Sequence, residues 1–234
     1  MMTSHVQHAL NDLRQGKFVL VYDHDDRETE TDFVKAAQFI TPQDIQTMRQ
    51  DGGGLIFLMI SYPLAQQLQL PFLADIYASL EDSYPVLKAL KPTDIPYDTK
   101  SSFSLYINHR KTFTGITDND RSLTIKKFSE LAEKINTLES RKALEEFGKE
   151  FRSPGHVPIC IGSQNLLQER RGHTELVVAL LQMAGIVPVG TGCEIMGDSG
   201  HALSKRDAQR YAQKHGLLFL EGSEIIKAWK QWSR

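Results

Sequence analysis

The strongest constraint on the fold is a pair of short apolar runs that do not alternate. Phe18-Val19-Leu20-Val21-Tyr22 and Leu55-Ile56-Phe57-Leu58-Met59-Ile60 are apolar throughout. A strand with one wet face alternates polar and apolar residues, so an unbroken run predicts a strand covered on both faces. Such strands need helices above and below, and helix signals are spread along the chain. Ser4 to Gln15 reads as a helix with Ser4 as its cap, a stripe of Val6, Ala9, Leu10 and Leu13, and Gly16 as its stop. Thr41-Pro42-Gln43-Asp44 is a helix start, with Thr41 as N-cap and Asp44 closing a capping box, and the helix should reach about Gln50. Residues 123–149 read as mainly helical, and Thr174 to Met183 carries an apolar side that ends near Gly185. Ser204 and Asp207 open another helix, which Gly216 stops. Ser102 to Asn108, Val157 to Ile161 and Leu217 to Leu220 read as further strands. Strands and helices interleave without a regular βαβ period. The expected fold is therefore α/β (α+β), a single compact layered domain over residues 1–234 with a mixed central sheet and helices packed on it. Residues 61–102, broken by Pro63, Pro71, Pro85, Pro92 and Pro96, give no regular pattern.

Composition excludes several classes. The net charge of -2 and the lack of a Lys/Arg block leave no electrostatic footprint for nucleic acid or an anionic membrane. No apolar stretch is long enough to span a bilayer, and the N-terminus has no apolar core of a signal peptide. Cys160 and Cys193 are too few for a disulfide framework and lack metal-site spacing, so both are expected as buried thiols. A cytoplasmic protein is expected.

The chemistry begins where the first strand ends. Tyr22 to Asp32 holds six carboxylates in eleven positions: Asp23, Asp25, Asp26, Glu28, Glu30 and Asp32. Hard oxygen ligands in this density suit Mg²⁺ or Mn²⁺, although a solvated acidic loop is the plainer reading of composition. Arg27 in its middle can bind a phosphate or organise the acids. In Glu169-Arg170-Arg171-Gly172-His173-Thr174-Glu175, Thr174 reads as an N-cap, and the helix mouth with Arg170 makes an anion site. His173 stands there as a candidate metal ligand, and Glu175 as a partner of the helix dipole. His156 lies between a Pro-Gly turn and a strand. Glu194 follows a glycine-flanked turn, where partial burial would raise its pKa and suit it to acid–base work. Thr112 to Arg121 supplies hydroxyls and an Asp–Arg pair.

Taken in order, Arg27-Glu28-x-Glu30-x-Asp32, Thr114-Gly115-Ile116-Thr117 with Asp120-Arg121, Pro154-Gly155-His156-Val157, Arg170-x-Gly172-His173-Thr174-Glu175 and Gly192-Cys193-Glu194-Ile195 form a pattern. It resembles the 3,4-dihydroxy-2-butanone 4-phosphate synthases of riboflavin biosynthesis, most of all the stand-alone archaeal type, over roughly residues 4–226. The resemblance implies conversion of D-ribulose 5-phosphate to 3,4-dihydroxy-2-butanone 4-phosphate and formate. It also implies Mg²⁺, for which Mn²⁺ can substitute, no organic cofactor, and a homodimer whose active sites are shared between subunits. By motif, Glu28 and His173 are the implied metal ligands, and His156 and Glu194 the implied acid–base pair. Arg27, Asp32, Thr114, Arg170, Arg171, Gly172, Thr174 and Glu194 are the implied substrate contacts, and Glu30 would reach the metal through water. Two departures stand out: Thr31 where many members have glycine, and Phe57 where many carry a cysteine, so no catalytic cysteine is assigned.

Two other readings compete with this one: another metal-dependent isomerase or aldolase on a pentose phosphate, and a non-catalytic relative that only binds sugar phosphates. Release of formate separates the synthase from both. A fused zinc-dependent GTP-hydrolysing domain is not expected at this length without a Cys-rich pattern.

Overall fold

The computed structural model describes residues 3–98 and 100–233. In chain order the elements are α1 (Ser4–Arg14), β1 (Val19–Tyr22), β2 (Thr31–Ala36), α2 (Pro42–Thr47), β3 (Phe57–Ile60), α3 (Tyr62–Gln67), α4 (Leu73–Ser79) and α5 (Pro85–Ala89). They continue as β4 (Phe103–His109), α6 (Asp118–Ile135), α7 (Ser140–Glu150), β5 (Phe151–Ile161), α8 (His173–Ala184), β6 (Val189–Glu194), α9 (Lys205–His215), β7 (Leu218–Glu221) and α10 (Gly222–Trp232). The seven strands form one mixed sheet in the order β4-β5-β3-β6-β2-β1-β7, with β3/β5 and β1/β7 parallel and the other pairs antiparallel.

The unbroken apolar runs are explained by two cores. Along β3, Leu58 and Ile60 enter one apolar layer with α2, α3 and α6, while Phe57 and Met59 enter another with α1, α8 and α10. Leu20 and its neighbours Val19 and Val21 divide between the layers in the same way. Side chains alternate across a strand, so both faces must be apolar when both are covered.

Three local assignments change. Thr3 rather than Ser4 caps α1. Gly172 rather than Thr174 is the N-cap of α8, which makes His173 its first residue. The glycines before Glu194 form no turn: Val189-Gly-Thr-Gly-Cys-Glu is strand β6, buried between β2 and β3. Its glycines admit a close neighbour, because a Cβ on Gly190 would stand 2.5 Å from Val177 Cγ1 of α8. The helix therefore packs against bare backbone at this point of the sheet. Leu176, Val177, Leu180 and Leu181 of α8 are fully buried. At about 1.5–3 kcal/mol per side chain, that burial rivals a typical domain's whole net stability of about 5–15 kcal/mol. The helix is a fixed part of the fold.

Candidate active site

The site forms where β1 ends and the acidic loop turns back into β2. Asp23 carries out that turn. Its buried carboxylate accepts the backbone N–H groups of Glu28 at 2.9 Å and Glu30 at 3.1 Å, and Arg27 Nη1 lies 3.3 Å away. One acid is thus consumed in shaping the loop. Asp25 and Asp26 face water, and Asp25 accepts the Tyr22 hydroxyl at 2.8 Å. The crowding of the sequence is thereby split between a buried organiser, solvated acids and an inward set. Thr29 adopts φ 58°, a left-handed conformation that threonine rarely takes, just before the chain enters β2. Thr31 is fully buried in β2 opposite Tyr22.

Three elements deliver the inward set. The loop turns Glu28 in, β2 carries Asp32, and β6 places Glu194 directly across from Asp32. The first residue of α8, His173, stands over them. Glu28 Oε2 is 3.3 Å from His173 Nδ1, and His173 Nε2 is 3.7 Å from Asp32 Oδ1. One ligand atom each from Asp23, Glu28 and His173 lie within 4.8 Å of one another. Both oxygens of Asp32 and Nε2 of His173 are buried with no hydrogen-bond partner among the described residues. Buried polar atoms without partners are costly, so their grouping marks a place that something else completes.

The electrostatics agree. Burial works against ionisation of Glu28, yet the His173 hydrogen bond and the Arg27 charge prevail and hold it at about 2. Burial disfavours a charged His173, but the charges of Asp32, Glu28 and Asp23 outweigh it and lift the ring to about 9. Asp32 is pushed well above the usual carboxylate range, first by burial and then by Glu194, Glu28 and Glu30, with His173 opposing. Glu194 is raised by burial against the N–H of Leu55, which its carboxylate accepts at 2.7 Å. The cluster holds protons in place of another positive charge. Carboxylate oxygens and one imidazole are donors that suit Mg²⁺ or Mn²⁺, so the residues fit a divalent ion.

The cleft, about 550 Å³, also admits Arg27, Arg170 and Thr174, and its wall includes Phe57 and Cys160. Arg170 is gripped on two sides: Nη1 donates to Glu175 Oε2 at 2.6 Å, and Nε and Nη2 donate to Asp98. Glu175 is fully buried and also accepts Ser163 N at 2.8 Å, so it braces the arginine. Gly172 leaves room for that guanidinium, since a Cβ there would meet Nη1 at 2.2 Å. Arg171 is exposed and outside the cleft wall.

His156 and Thr114 also stand outside it. His156 lies within β5, which starts earlier than the turn expected before it, at Phe151. Asn108 joins the two: its Oδ1 accepts His156 N at 2.9 Å, and its Nδ2 lies 3.1 Å from His156 Nδ1 and donates to Thr114 O at 3.4 Å. Phe113, 94% exposed, projects beside them. Sequence reasoning missed Asp23, Asp98 and Asn108 and gave Glu175 too small a part. Asp23 carried a signal, being the acid next to the strand end, whereas Asp98 and Asn108 carried none.

A family model described as 3,4-dihydroxy-2-butanone 4-phosphate synthase matches residues 7–228. A protein of that name from Methanothermobacter thermautotrophicus is 46% identical, over 97% of this chain and 96% of its own. A Candida albicans structure of that name superposes with a TM-score of 0.72 at 25% identity, covering 97% of this chain and 98% of the other. Another such structure, described as a complex with two magnesium ions, shares the fold with a TM-score of 0.74 at 22% identity, covering 96% of both. The matches run through both flanks of the cleft and almost from end to end, and the chain accordingly belongs to the 3,4-dihydroxy-2-butanone 4-phosphate synthase family.

Proposed function

We propose that this chain converts D-ribulose 5-phosphate to 3,4-dihydroxy-2-butanone 4-phosphate and formate, as a divalent-metal-dependent lyase. The observation that carries the reading is the half-buried Glu28 beside buried Asp32 and His173, the last two with polar atoms unpartnered among the described residues, flanked by Arg27 and Arg170. Glu28 and His173 would hold Mg²⁺ or Mn²⁺, with Asp23 in reach and Glu30 acting through water. Bound there, the ion would stabilise negative charge that develops on neighbouring substrate oxygens.

The chain's own residues do the rest. Arg170, Gly172 and Thr174 at the mouth of α8 bind the phosphate, helped by N–H groups of the first helical turn, while the exposed Arg171 stays outside. Arg27, which shares Asp98 with Arg170, contacts the substrate beside it. Asp32 and Glu194, both raised by burial, hold and return protons. The two products together contain every atom of the substrate, so no organic cofactor is needed. His156 and Thr114 serve the site of a second copy of the chain. That role accounts for their distance from this cleft and for the exposed Phe113 and Ile116 at the same corner. The test is to incubate the folded protein with ribulose 5-phosphate and Mg²⁺ and assay formate, with EDTA as control. Metal-dependent formate is expected, and its absence from a folded dimer would sink the reading.

A further inference from the structure

The segment 91–98 runs past the cleft without regular secondary structure. Among the described residues, none of its backbone groups from 92 to 98 pairs with another backbone group. It is fastened by side chains instead. The Tyr97 ring lies 5.4 Å from the Arg27 guanidinium, and Asp98 reaches between the two arginines of the cleft. Asp98 Oδ2 stands 2.6 Å from Arg27 Nη2 and 2.6 Å from Arg170 Nη2, and Arg170 Nε donates to both of its oxygens at 3.0 Å. A planar guanidinium fork takes a carboxylate or a phosphate in the same two-pronged way.

We infer that Asp98 is an internal stand-in for the substrate's phosphate, held in the Arg27–Arg170 fork until a phosphate displaces it. The inference rests on the reading of Arg170 as part of the phosphate cradle. Charge decides that the two anions exclude each other. Arg27 and Arg170 already face Asp23, Glu28, Asp98 and Glu175. A phosphate dianion added beside an undisplaced Asp98 would meet strong repulsion in a half-buried site. A neutral sugar has nothing with which to exchange for the carboxylate, whereas a phosphate offers more charge and more acceptor oxygens. Asp98 therefore makes the phosphate a condition of entry and acts as a specificity residue.

The surroundings allow the exchange. Ile95, Pro96, Tyr97 and Asp98 line both the catalytic cleft and a second cleft of about 670 Å³ on the other side. The strap is the partition between them, so its withdrawal opens space without unpacking either apolar layer.

The test is calorimetric titration of inorganic phosphate into the full chain with Mg²⁺, comparing wild type, Asp98→Asn, Asp98→Ala and Arg170→Gln. Thermal unfolding of each establishes that it folds. If the strap-in state outweighs the open one about ninefold, it raises the apparent dissociation constant about tenfold. Both Asp98 variants should then bind phosphate about tenfold more tightly, with a parallel fall in KM for ribulose 5-phosphate. Arg170→Gln should weaken phosphate binding at least tenfold. Unchanged or weaker binding in both Asp98 variants, with Arg170→Gln still impaired, would overturn the stand-in and leave the cradle. Unchanged binding in Arg170→Gln would overturn the cradle, and the stand-in with it.

Discussion

Strand β5 carries two regions of opposite character. From Val157 to Ile161 it is buried, and Cys160 lies in the wall of the metal-type cleft. From Arg152 to His156 it is exposed or half-exposed, and His156 meets Asn108 and the Thr114 loop at the sheet's edge. Four residues of extended strand put the two places about 13 Å apart. The cleft is half-buried and crowded with charge, and Asp32 and His173 Nε2 find no hydrogen-bond partner there among the described residues. The corner is hydrogen-bonded, open and ringed by exposed Phe113 and Ile116. One chain brings Glu28, Asp32, His173 and Glu194 together in the cleft, and holds its own His156 away from them. The corner's polar groups lie outside the wall of that cleft.

The largest expected effect lies in the cleft. Glu28→Gln or His173→Ala should lower turnover by about 10³-fold or more, the scale of several kcal/mol of metal-assisted stabilisation, without unfolding the chain. Steady-state formate release and circular dichroism check this, and near-normal rates would break the metal assignment. At the corner, His156→Ala should cost about 10²-fold, the lower range for a lost acid–base group. Neither variant should recover alone, but a subunit-exchanged mixture of Glu28→Gln and His156→Ala chains should regain about one quarter of wild-type activity. Half of the dimers would be mixed, and each would have one intact site. No recovery after proven exchange would place both groups in one subunit's site.

The smallest effect concerns the buried thiols. Burial pushes Cys160 and Cys193 up to about 12 from about 9 in the unfolded chain. Between those values the folded state holds the protons that the unfolded state releases. Their contribution is therefore full below pH 9 and is lost as pH rises towards 12. Urea unfolding at pH 8 and pH 10 should show lower stability at pH 10. Cys160→Ala, which removes the thiol of the buried half, should flatten that slope, and His156→Ala should not. Equal slopes in wild type and Cys160→Ala would show that the thiol remains partly solvated.

What was legible in the sequence follows the same division. Unbroken apolar runs announced β1 and β3 because covering on both faces leaves no other composition. Strands β2 and β6 escaped notice because the site sits in them: Asp32 and Lys35 interrupt one, and Gly190 and Gly192 empty the other. Polar residues in a doubly covered strand look like a loop until their partners are known. Glu28, His173 and Arg170 were readable as an ordered set of motifs. Asp98 was not, since its partners lie 71 and 72 residues away and nothing around it is periodic. The segment 61–102 forms three short helices, of which α4 and α5 bury no residue, so no apolar stripe announces those two.

The bare backbone at Gly190 has a reach beyond its own strand. It sets how deeply α8 seats on the sheet, and α8 carries His173 at its tip above Asp32. The placing of His173 over Asp32 is thus kept by an apolar contact on the sheet beneath. The chemistry is gauged from beneath, by the thickness of a packing layer.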